Sequence, residues 1–188
     1  MHTAQVKKVT HIAIASAALL LFVAQPTARA ELPAPVHAKV EQYKKKLVTW
    51  ATDPVVVKAA QEANAKEGGL EPGMTNSKWD DLAEHDAKVT RFQTSGAGKL
   101  LTKLEQDKGI SKLYLRDTKG NLVASGTNKP LIFNNSTKPP FINGMKGVWA
   151  AGEVKPDPTS QVKGVHVAVP VVDGGKIIGV LHTSVVAD

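Results

Sequence analysis

The sequence has no cysteine among its 188 residues, which excludes disulfides, thiol nucleophiles, Cys-ligated zinc, iron–sulfur clusters, c-type haem attachment and lipoprotein acylation. Aromatic side chains are scarce, at 5%, so each is a landmark for a core or a site. Charge of one sign is not concentrated either. The basic run Lys44-Lys45-Lys46 reads as the solvated face of a helix, and no nucleic-acid partner is expected. No G-x-S-x-G, H-E-x-x-H, P-loop or dinucleotide fingerprint occurs, and His85-Asp86 beside Glu84 reads as solvated charge, so no enzymatic activity is expected. No metal site or cofactor is expected.

A long apolar run occurs once, over Ile12 to Ala24, preceded by Lys7 and Lys8 and followed by Ala28-Arg29-Ala30. That order is a secretory signal: basic start, apolar middle, A-x-A cleavage site. The run is short of the roughly 20 residues needed to span a bilayer, so cleavage after Ala30 is expected, leaving a periplasmic or secreted chain that begins at Glu31. Removing Lys7, Lys8 and Arg29 lowers the formal charge from +7 to +4. What remains has the length of one domain, with no second membrane segment or output module expected before Asp188.

Helical signals occupy the first half of this segment and strand signals the second. Val40, Tyr43, Leu47 and Trp50 or Ala51 recur at three- and four-residue steps, predicting a helix over about 37–51. Asp53-Pro54 starts a second helix, with Gly68-Gly69 as its stop. A third runs from Thr75-Asn76-Ser77 with Trp79, Leu82, Val89 and Phe92 on one side, and Ser95 caps a fourth that ends at Gly109. Lys112 to Asp117, a turn at 118–121 and Leu122 to Ser125 predict a hairpin. A long loop over 126–147 leads to a strand at 148–155. Val165 to Val172, Asp173-Gly174-Gly175 and Lys176 to Val186 predict a second hairpin. The expected fold class is α+β, with N-terminal helices packed on a five-stranded antiparallel sheet.

Several of these segments share wording with a known family. Asp53-Pro54, Ala59-Ala60, Glu62-Ala63-Asn64, Met74-Thr75-Asn76 and Trp79-Asp80-Asp81-Leu82 resemble the helical part of single-Cache (PAS-like, PDC-type) extracytoplasmic sensor domains. LYLRDTKGNLVAS from Leu113 to Ser125 is similar to that family's first hairpin, and KGVWAAGEVKPDPTS followed by VHVAVPVVDGGKIIGVL resembles its closing strands. The resemblance spans about Val36 to Val186. It implies a small-molecule cleft on one face of the sheet, roofed by the long loop, with the first helix on the other face. It also implies a signal-transduction role; family members usually sit between two membrane segments and drive an output domain, and since neither is expected here, signalling is expected to need a membrane-bound receptor partner in trans. The competing function is a docking module that uses the scaffold without a ligand.

Alternation places candidate ligand residues on the loop side. Leu113 and Leu115 should face the helices while Tyr114 and Arg116 face the loop. Arg116 is a candidate bidentate clamp for a carboxylate, its competing role being a hairpin ion pair to Asp117 or Asp157. His166 and His182 stand on the last two strands. A plain turn sets His166 opposite Thr183, whereas a three-residue turn pairs the two imidazoles. Phe141 on the loop, Trp149 and Tyr114 are the sheet-side aromatics, and Glu153 and Asp157 lie on and just after the third strand. The ligand expected is a carboxylate or amino-acid-like metabolite. Trp79 reads as the pin that docks its helix.

Overall fold

A computed structural model describes residues 32–158 and 160–188. The expected leader 1–30 and the first mature residue, Glu31, lie outside the described residues. Among the described residues no helix is long and apolar enough to cross a membrane.

The first helix, α1 (Ala34–Ala51), starts one turn before the apolar stripe suggests. Pro35 fits the first turn, where a missing N–H costs nothing. Its buried residues Val36, Val40, Tyr43, Leu47 and Ala51 follow the helical period. α2 (Pro54–Asn64) is capped by Asp53, whose side chain accepts from Val55 N at 2.8 Å. The stretch read as one third helix is two: α3 (Asn76–Asp80), capped by Thr75, and α4 (Ala87–Thr94), capped by Asp86, which accepts from Lys88 N at 2.8 Å. A short polar side chain that satisfies an amide at a new N-terminus competes with continuing the helix. α5 (Gly96–Leu104) follows with Ser95 accepting from Gly98 N at 2.9 Å.

The strands are β1 (Ile110–Asp117), β2 (Leu122–Ser125), β3 (Ala150–Pro156), β4 (Lys163–Asp173) and β5 (Lys176–Val186). The long loop is not irregular throughout: α6 (Pro139–Met145) occupies its second half, with proline again at the start. The five strands form one antiparallel sheet in the order β2-β1-β5-β4-β3. β5 is therefore central, flanked by the first strand and the fourth.

The pleat divides the apolar side chains. Leu113, Leu115, Val165, Val167, Val169, Val171, Leu181 and Val185 join α1 and α2 in the main core. Tyr114 and Leu122 face the other way and join Trp79, Val89, Phe92 and Phe133 in a second cluster. Trp79 is fully buried, meets Phe92 edge-on at 5.7 Å and donates from Nε1 to Pro130 O at 2.7 Å. It pins both its own helix and the start of the long loop, because a buried indole N–H needs an acceptor.

Candidate functional site

Between the sheet and the long loop lies a cavity of about 590 Å³, within the size range of small-molecule sites. Its floor is built from residues two apart on neighbouring strands. Lys112 of β1, Ser184 of β5 and His166 of β4 make one cross-sheet row; Tyr114, His182 and Ala168 make the next. Ser184 and Ala168 are small, so the space above the rows belongs to the larger side chains. The roof comes from Pro130, Leu131 and Ile132 and from Pro139 and Pro140 at the start of α6.

The two histidines share this floor for a reason that the plain turn does not supply. Gly174 and Gly175 adopt positive φ (52° and 80°) in a two-residue turn that pairs Asp173 with Lys176. The register then shifts: Val172 faces Ile177, but Val171 faces Gly179, leaving Ile178 as an extra residue on β5. His166 is thereby set opposite Ser184 and His182 opposite Ala168, so neither register considered from the sequence applies. The imidazoles stand diagonally, ring centroids 5.4 Å apart. The carbonyl of Ile178 accepts from Asn64 Nδ2 at 2.7 Å.

Burial dominates the electrostatics here. It drives the His182 imidazole down to about 3, helped by His166, Arg116 and Lys112, and lowers His166, where Lys112 adds to the effect. Both ring nitrogens of His182 are out of water without a hydrogen-bond partner among the described residues. The Tyr114 phenol is raised, first by burial and then by Glu105, against the opposing pull of Arg116. Its ring lies 6.4 Å from that of His182.

Arg116 is 1% exposed. Its Nη1 donates to the carbonyls of Phe133 and, at 3.4 Å, Gly120, and its Nη2 to Ile132 O at 3.0 Å. The fork is thus spent on the path of the loop, and Nε alone is unpartnered among the described residues. Burial lowers the guanidinium to about 10. Neither carboxylate suggested as its partner takes that part. Asp117 accepts from Lys119 N at 2.9 Å and Asn121 N at 2.8 Å, closing the hairpin turn. Asp157, 2% exposed, forms an ion pair with Lys112 and accepts from Ser160 N at 2.9 Å.

Of the eight residues singled out from the sequence, Tyr114, Arg116, Glu153, Asp157, His166 and His182 line the cavity. Glu153 sits at its exposed rim, paired with Lys155 at 3.2 Å. Phe141 and Trp149 do not line it. Phe141 anchors α6 to Ala168 and Val180, and Trp149 packs against the main core, with Lys44 Nζ 5.3 Å from its ring centre. Lys112, Asn135 and the roof prolines were missed. Lys112 was findable, since it precedes Tyr114 and Arg116 at the same two-residue spacing. Among the described residues no group of three His, Asp or Glu is placed to hold a metal ion.

Helices followed by this five-stranded antiparallel sheet make an α+β, PAS-like fold. The sensor domain of the V. cholerae histidine kinase DctB is similar in fold, with a TM-score of 0.53 at 19% identity over 80% of this chain and 50% of that one. Two further similar structures are the ligand-binding domain of the Campylobacter jejuni chemoreceptor Tlp3 in complex with L-norvaline (TM-score 0.46, 14% identity, 81% of this chain and 54% of that one) and that of the Pseudomonas aeruginosa amino-acid chemoreceptor PctC in complex with GABA (0.45, 11%, 82% and 56%). The chain spans about half the length of each. No family model and no curated protein matches the sequence.

Proposed function

We propose that the chain is a free-standing periplasmic sensor module whose loop-side cleft binds a small carboxylate or amino-acid-like metabolite and which signals through a membrane-bound receptor partner. One observation carries the reading: the space between loop and sheet is open, and Arg116 and His182, both among its lining residues, each carry buried nitrogens without a hydrogen-bond partner among the described residues. A scaffold used only for docking has no reason to leave such groups unmet beside a cavity, because each unmet buried polar atom costs about 1–3 kcal/mol. The fold likeness to a histidine-kinase sensor domain supports the sensing role, and the short apolar leader supports export.

Thermal-shift screening of the chain from Glu31 to Asp188 against a metabolite library tests the reading. A ligand at 100 times its Kd adds about 2.7 kcal/mol of stability, which raises the Tm by several degrees. Absence of any hit, together with tight association of the same protein with a receptor ectodomain, would favour the docking alternative.

A further inference from the structure

The charges around the cleft are unequally balanced. Lys112 is paired with buried Asp157, and Lys155 with Glu153 at the rim. Lys138 is exposed at the mouth, where water and salt screen it. Arg116 differs from all three: it is fully buried, its partners are neutral carbonyls, and no carboxylate stands within ion-pair distance of it among the described residues. A buried charge is ordinarily compensated by an opposite one. Beside it, Arg116 Nε and the N–H of a neutral His182 are donors in want of an acceptor. Above them the roof is Pro130, Leu131, Ile132, Pro139 and Pro140, which offer apolar surface.

Resting on the sensor reading and narrowing it, we propose that the ligand is a monoanion with an apolar body: a single carboxylate over Arg116 Nε and His182, and an aromatic or branched hydrocarbon portion under the proline-rich roof. The single carboxylate supplies the missing counter-charge and the missing acceptor together. A second carboxylate on the body would lie under the roof without a buried cation to meet it, because Lys112 and Lys155 are already paired and Lys138 is screened at the mouth. Leu131, half exposed at the cavity edge, gains cover when the body enters.

Calorimetric titration of the chain from Glu31 to Asp188 with four compounds tests this: 3-phenylpropanoate, its amide 3-phenylpropanamide, 3-(4-carboxyphenyl)propanoate and acetate. The expected result is binding of 3-phenylpropanoate, with the amide and the dianion each weaker by about 10- to 100-fold and acetate weaker still. Arg116→Gln should abolish the preference for acid over amide. If that variant does not fold, Leu131→Ser, at an exposed position, should still weaken 3-phenylpropanoate by about 3- to 10-fold. Equal or tighter binding of the dianion or the amide overturns the proposal, as does no response to 3-phenylpropanoate or no effect of Leu131→Ser. The metabolite library separates the two readings: a hit of another chemical class that competes at this cleft sinks the monoanion and leaves the sensor standing, whereas no hit of any class sinks both.

Discussion

His166 and His182 lie on one face of the sheet, 5.4 Å apart, because Ile178 is an extra residue between them along the hairpin. Without it the pairing set at Asp173 and Lys176 would carry His166 to Thr183, and the two imidazoles would point to opposite faces. The composition of the cleft floor thus depends on a one-residue irregularity held from outside the sheet by Asn64.

Asn64→Leu is expected to destabilise the fold by about 1–3 kcal/mol, since it leaves the Ile178 carbonyl and the Thr118 amide, now 3.1 Å from Asn64 Oδ1, without their partner. Urea unfolding of the variant beside wild type measures it; an unchanged midpoint would show that the bulge needs no such support.

His182 makes stability depend on pH in a defined direction. The folded protein holds this imidazole neutral down to about 3, whereas an unfolded chain protonates it near 6.5. Between those values the unfolded state binds the extra proton, so stability should fall as pH drops below about 6.5, at up to about 1.4 kcal/mol per pH unit. Denaturation midpoints from pH 4.5 to 8 should show the slope, and His182→Gln should flatten it.

Lys112→Met removes the cation paired with the buried Asp157 carboxylate and is expected to cost about 3–5 kcal/mol. Adding Asp157→Leu should recover much of the loss. If the double variant is no more stable than the single one, the pair is not the reason Lys112 matters.

Gly144, on the underside of α6, would as alanine place its Cβ 2.9 Å from Val180 Cγ1. Gly144→Ala should therefore lift α6 from β5 and weaken ligand binding by about 10-fold or more, while circular dichroism remains that of the wild type. Undiminished affinity would mean that α6 does not set the height of the roof.

Mass spectrometry of exported protein is expected to show Glu31 as the first residue. Retention of Met1 on a membrane-bound product would refute cleavage.

Much of the fold was legible because local chemistry and tertiary packing agree. Asp53 and Ser95 announce helix starts that the structure realises with side-chain hydrogen bonds. β-Branched alternation gave Leu122–Ser125 and Lys176–Val186 their bounds, and the same alternation set Leu113 and Leu115 against the helices and turned Tyr114 and Arg116 to the loop side. What escaped was whatever depends on a through-space choice. Pro139-Pro140 reads as a loop, although proline suits a first helical turn as well, so α6 was missed and Phe141 was assigned to the cleft it does not line. The break before Asp86 hid inside a continuous apolar stripe. Isoleucine is an ordinary strand former, and nothing in its type marks Ile178 as a bulge. The carbonyls that occupy Arg116 belong to a loop whose path only the folded chain defines.

The pleat gives the sheet two readers. On β4 and β5, His166 and His182 face the cavity, while their immediate neighbours Val165, Val167 and Leu181 form part of the bed on which α1 rests. Cleft and helix are therefore separated by the thickness of one peptide backbone. A ligand that draws the two central strands together or parts them would tilt that bed, and α1 would respond as a lever on the far side. In a sensor so built, occupancy would be displayed on the face that the ligand never touches, and a partner reading it would need no access to the cavity.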